Sequence, residues 1–159
     1  MRILAIAVFV LFALEGTALA DPKSEVEELM NTSTGLAEQM LREHGEFYPY
    51  GAAMTPDGDI VSVSAHTGGE HPPSQELIDL LKGAFRDAAQ GGEYKATALI
   101  YDVRVSTPPN GVVSDAIAVA LDHKDEYSVV VFLPYKLTDG DLEFSPVFAQ
   151  AGANVVFQN

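Results

Sequence analysis

Three stretches in the second half of the chain place large apolar residues at every second position over much of their length. They cover residues 94–106, 113–123 and 127–134. A period of two is typical of a β-strand that buries one face. The connections at 108–111 and 124–126 are short and rich in turn-forming or charged residues. Because connections this short join only antiparallel neighbours, the region predicts a three-stranded meander.

The first half predicts a helix followed by a hairpin. Apolar residues recur at helical spacing over residues 26–41, and Ser24 and Glu27 form a capping box at the start of this stretch. Residues 47–54 and 60–65 have strand character and flank a turn that contains Pro and Asp-Gly.

A second apolar stripe at helical spacing, over residues 77–88, predicts a helix between the hairpin and the meander. The order of elements is then α-β-β-α-β-β-β. Such an order favours an α+β fold, in which two helices pack on a five-stranded antiparallel sheet. It resembles roadblock- and profilin-like folds, where the crossover helix lies between the second and third strands.

Residues 1–20 have the pattern of a secretory signal peptide. Arg2 precedes an apolar run at 3–14, and small residues lead to a cleavage position near Ala20-Asp21. The run is shorter than the roughly 20 apolar residues that span a bilayer, and no second run of that length follows. We therefore expect export to the periplasm or the medium, without a membrane span.

Composition limits the partners of the remaining domain, residues 21–159. The chain has 23 acidic and 9 basic residues, a net charge of −14 and no cysteine. Such an acidic surface repels nucleic acid. The expected partner is therefore an unknown protein or a small ligand. Without cysteine, a disulfide framework, a thiolate metal site and a cysteine nucleophile are all excluded.

One polar loop has the residue types of a metal site. His66, Glu70 and His71 lie within six residues and offer ligands for a divalent cation. The intervening Gly68 and Gly69 disfavour a helix, so the helical zinc-protease patterns do not apply. The alternative interpretation is a solvated loop that leads into the second helix, with no cofactor at all.

No set of residues points to covalent catalysis. Asp122 and His123 are neighbours on a predicted strand, so their side chains point to opposite faces. No Gly-x-Ser-x-Gly sequence is present. The pattern favours a protein that is not an enzyme, with His123 as a hydrogen-bonded histidine at a strand end.

Aromatic residues beside prolines suggest an interaction surface. Tyr48 and Tyr50 flank Pro49, and Tyr135 follows Pro134. Tyrosine is frequent at interfaces because its ring is apolar and its hydroxyl is polar. The alternative is that these residues belong to the core, with proline protecting strand edges.

Four segments together resemble a family of small uncharacterised bacterial proteins. The segments are FYPYG at 47–51, PSQELI at 73–78, SDAIAV at 114–119 and FLPY at 132–135. The resemblance extends over roughly residues 29–157. It implies a bacterial origin and a single domain, and it supplies no substrate or catalytic residue.

The leading hypothesis is an exported, non-catalytic α+β domain that binds a protein or a small ligand. One alternative is a metal-dependent enzyme or metal-binding module that uses His66, Glu70 and His71. Another is an inhibitor or immunity-like protein that binds a basic partner. A homodimer through an exposed sheet edge or the first helix is a further expectation.

Overall fold

The computed structural model describes residues 20–158, so the predicted leader lies outside the described residues except for Ala20. The helices are α1 (Pro22–Ser33), α2 (Gly35–His44) and α3 (Ser74–Gln90). The strands are β1 (Tyr50–Met54), β2 (Ile60–Val63), β3 (Ala96–Thr107), β4 (Val112–His123), β5 (Tyr127–Thr138), β6 (Asp141–Phe144) and β7 (Phe148–Ala151). Over the described residues, no helix is long and apolar enough to cross a membrane.

The sheet has seven antiparallel strands, so the predicted five-stranded sheet is wrong. The path runs β2-β1-β3-β4-β5-β6, and β7 also pairs with β5. Both additional strands lie on the outer edge of β5, β6 along residues 135–138 and β7 along 129–132. Asp139 and Gly140 have positive φ angles and turn the chain back onto β5. This return adds the strands that the element order α-β-β-α-β-β-β omitted.

The first helical region differs from its prediction at its start. Asp21 caps α1, because its carboxylate accepts a hydrogen bond from the Ser24 amide at 3.0 Å. Pro22 occupies the first turn, where its missing N–H costs nothing. The expected cap, Ser24, is therefore inside the helix. Thr34 alone separates α1 from α2, which ends at a left-handed Gly45.

Helices cover both faces of the sheet. Leu29 of α1 and Leu41 of α2 pack with Ile117 in the core on one face. On the other face, Leu81 and Phe85 of α3 pack in a second core. A methyl group at Gly51 of β1 would collide with the Phe85 ring, so the glycine permits the close approach of α3.

A buried polar cluster fastens α1 to the sheet. His123 is 1% exposed, and its Nε2 lies 2.7 Å from a carboxylate oxygen of Glu25. Its Nδ1 accepts a hydrogen bond from the Asp125 amide at 3.1 Å, so the proton of a neutral ring lies on Nε2. Lys95 pairs with the other oxygen of Glu25. The structure thus shows the hydrogen-bonded, strand-end histidine that the sequence predicts.

Candidate ligand-binding groove

A groove opens between α2, the segment that enters β1, and the loop that follows β2. Its volume is about 760 Å³, within the roughly 300–1,000 Å³ of small-molecule sites. Its lining is formed by Leu36, Met40, His44, Glu46, Phe47, Tyr48, Pro49, Tyr50, Leu77 and residues 64–72.

The floor of the groove is apolar. Gly45, with φ of 77°, ends α2 and turns the chain so that residues 46–49 run beside the helix they have just left. The predicted strand begins at Phe47, whereas β1 begins at Tyr50. Leu36 and Tyr48 line the groove while 47% and 42% exposed, so apolar surface remains there for a ligand to cover.

Histidines are concentrated at the groove. The chain has four histidines, and three of them, His44, His66 and His71, line it. The Tyr48 hydroxyl lies 2.9 Å from Nδ1 of His71 and so joins the entering segment to the loop after β2. Imidazole both donates and accepts hydrogen bonds, so this lining suits a polar group on a ligand.

The three predicted metal ligands lie at this groove. His66, Glu70 and His71 are all exposed and all line it. Tyr48 contacts one ring nitrogen of His71. Among residues 20–158, no three His, Asp or Glu side chains come close enough together to hold a metal ion. Metal binding by these residues stays a prediction.

The predicted tyrosine surface divides into separate places. Tyr48 and Tyr50 line the groove, whereas Tyr135 lies elsewhere and is only 7% exposed. Its hydroxyl donates to the Asp102 carboxylate at 2.9 Å. Burial and that neighbouring carboxylate raise the pKa of Tyr135. The Tyr135 hydroxyl therefore joins two strands of the sheet.

The Tyr50 hydroxyl holds the junction of the first two helices. It donates to the Ser33 carbonyl at 2.6 Å and accepts from the Ala37 amide at 3.1 Å. Burial raises the pKa of Tyr50 to about 12. Tyr50 thus fixes one wall of the groove through α2, while Tyr48 offers an exposed ring to a ligand.

The sequence analysis did not identify the residues of α2 that line the groove. Leu36 and Met40 belong to the apolar stripe that predicts the first helix, and that stripe does not distinguish a groove wall from a core. His44 carried a weak signal, since it follows the apolar stripe and precedes Tyr48 by four residues. Only the fold brings these residues to the loop at 64–72.

The strand neighbours Asp122 and His123 face opposite sides of the sheet. Asp122 accepts a hydrogen bond from Ser128, and His123 contacts α1 through Glu25. They therefore do not form a catalytic pair with each other.

Comparison with protein-family models, curated proteins and solved structures found no match, so the resemblance to small bacterial proteins stays a prediction.

Proposed function

We propose that the protein is an exported, non-catalytic binding domain whose groove takes a small ligand. The observation that carries the proposal is an apolar groove of about 760 Å³ lined by three of the chain's four histidines. An apolar floor supplies affinity, and a few polar groups orient the ligand. The ligand class is a compact apolar molecule with one hydrogen-bonding end.

The leader supports the exported part of the proposal. Asp21 follows the expected cleavage position and caps α1, and Ala20 lies outside the helix. Cleavage there leaves the capping carboxylate in the mature chain. Mass spectrometry of protein secreted from its full-length gene should give an N-terminus at Asp21, and retention of residues 1–20 would contradict export.

A fluorescent probe with the proposed chemistry tests the groove. The dye 8-anilinonaphthalene-1-sulfonate has an apolar aromatic body and a sulfonate end that accepts hydrogen bonds. The test variant is Leu36→Glu, which places a charge on the apolar floor. We expect about a tenfold or greater loss of dye affinity, because the change removes apolar contact and repels the sulfonate.

Leu80→Glu is the matched control. Leu80 is also a helical leucine, 45% exposed against 47% for Leu36, and it is not among the residues that line the groove. Its replacement should leave dye affinity unchanged. Equal losses in both variants would show general surface adsorption, and no loss in either would remove the groove as the site.

Metal binding at the same rim is the alternative function. His66, Glu70 and His71 lie on one loop at the groove. We expect Zn²⁺ to leave the melting temperature nearly unchanged. A clear rise that the double variant His66→Ala, His71→Ala abolishes would favour the metal-binding module instead.

A further inference from the structure

A second cavity lies where α3, the sheet and the C-terminal segment meet. Its volume is about 230 Å³, and residues 152–155 form part of its lining. Its lining also includes Ile78, Lys82 and Tyr101. It shares no lining residue with the groove, so its chemistry is independent of the proposed function.

The cavity is lined by a buried carboxylate whose hydrogen bonds come only from neutral donors. Asp122 is 6% exposed. It accepts hydrogen bonds from the Ser128 hydroxyl at 2.6 Å and from the Val156 amide at 3.2 Å. Within residues 20–158, Asp122 takes part in none of the ion pairs. A buried carboxylate is costly unless a positive charge compensates it.

A second acceptor, on a residue that lines the same cavity, lacks a donor. The side-chain oxygen of Asn154 is buried and has no hydrogen-bond partner among the described residues. The backbone N–H of Asn154 donates to the Ser128 hydroxyl at 2.9 Å, and that hydroxyl in turn donates to Asp122. The donors of Ser128, Asn154 and Val156 in this network are therefore engaged, while acceptor capacity remains on Asp122 and Asn154.

The packing of the C-terminal segment holds this arrangement. A methyl group at Gly152 would collide with the Ser128 hydroxyl and lie 2.8 Å from the Val129 nitrogen. Glycine there allows the segment to lie directly against β5. Asn154 has a φ of 47°, a left-handed conformation that asparagine tolerates better than most residues. The segment thereby places Asn154 at the cavity that Asp122 lines.

We propose that this cavity binds a small alkylammonium ion. The ammonium group donates hydrogen bonds to Asp122 and Asn154 and neutralises the buried carboxylate. Its alkyl part contacts Ile78 and Tyr101, which lie in the same lining. The volume is below that of drug-sized sites, which restricts the ligand to a short chain. The net charge of −14 raises the local concentration of cations.

Amide chemical-shift mapping of the protein with n-butylammonium tests the proposal, with n-butanol as the neutral control of similar shape. Butylammonium should give saturable shifts at Asp122, Ser128 and Asn154, at a concentration about tenfold or more below that of butanol, because charge-assisted hydrogen bonds are stronger than neutral ones. Equal affinity for both probes, or no saturable shift at these residues, would overturn the proposal.

Two variants separate the site from general attraction to an acidic surface. Asp122→Asn should weaken butylammonium binding about tenfold, whereas Asp57→Asn, in the exposed β1–β2 turn, should not change it. Lys82→Met should tighten binding because it removes a like charge from the lining. If Asp122→Asn fails to fold, Lys82→Met still tests whether butylammonium binds at this cavity. Unchanged or weaker binding in that variant would contradict the proposed site.

Discussion

At the scale of single residues, Tyr50 shows how one hydroxyl can fix a wall of a groove. Tyr50→Phe removes the acceptor of the Ala37 amide, and Ala37 is 0% exposed. An unsatisfied buried amide costs about 1–3 kcal/mol, so the free energy of unfolding should fall by that amount. Urea denaturation measures the loss.

Tyr48→Phe is the matched control for this prediction. Tyr48 is 42% exposed, and its hydroxyl contacts the exposed His71. Its replacement should change the free energy of unfolding by less than about 0.5 kcal/mol. Equal losses for the two variants would contradict the assigned role of the Tyr50 hydroxyl.

The Glu25 cluster predicts an acid-sensitive part of stability. Burial acts to raise the pKa of Glu25, but hydrogen bonds from Lys95 and His123 outweigh it and lower the pKa below its ordinary value of 4.5. A lowered folded-state pKa contributes stability above the unfolded-state value, and this contribution is lost as pH falls through the folded-state value. At neutral pH, the free energy of unfolding of the wild type should therefore exceed that of Glu25→Gln by about 1.5–3 kcal/mol.

The difference between wild type and Glu25→Gln should shrink as pH falls below 4.5. Urea denaturation at neutral pH and near pH 3 measures it. Glu28→Gln is the control, since Glu28 is exposed on the same helix. A difference that stays constant with pH would show that the carboxylate charge does not stabilise the fold.

At the scale of elements, replacement of glycine by alanine should have opposite effects on stability at two positions. Gly51→Ala places a methyl group against the Phe85 ring and 3.2 Å from the Ala98 carbonyl oxygen, and should cost about 1–3 kcal/mol. Gly83→Ala, inside α3 with nothing within 4 Å, should stabilise by about 1 kcal/mol. Thermal melts of both variants check the pair. A stabilising Gly51→Ala would mean that α3 does not lie so close to β1.

Elements with strong local patterns were predictable from the sequence. The meander has large apolar residues at every second position over long stretches, and α3 has a regular apolar stripe. Both elements therefore follow from periodicity. Strands β6 and β7 have four residues each, and their pairing with β5 is set by tertiary contact. Short strands carry too little periodicity to identify, and the sheet was therefore predicted two strands too small.

The candidate site was predictable only in pieces. His66, Glu70, His71 and Tyr48 stood out because of residue type and local spacing. Tyr48 lies beside α2 because the left-handed Gly45 turns the chain there, whereas the loop at 64–72 comes to the groove only through the fold. Likewise, His123 was expected to be hydrogen-bonded, but its partner Glu25 lies 98 residues away, beyond any local pattern.

At the scale of the whole molecule, charge controls the predicted self-association. A net charge of −14 repels a second copy, and salt screens that repulsion. If the homodimer forms, its fraction should rise with salt concentration. Light scattering after size exclusion, at low and high salt, measures this. A strict monomer in both conditions would remove the homodimer.

The most direct test of the binding groove is amide chemical-shift mapping with 8-anilinonaphthalene-1-sulfonate. Saturable shifts should concentrate in α2, in residues 46–50 and in residues 64–72, which line the groove from separate parts of the chain. Joint shifts of all three segments would place the ligand between them. Shifts confined to other surfaces, or no saturable shift at all, would contradict a binding function for the groove.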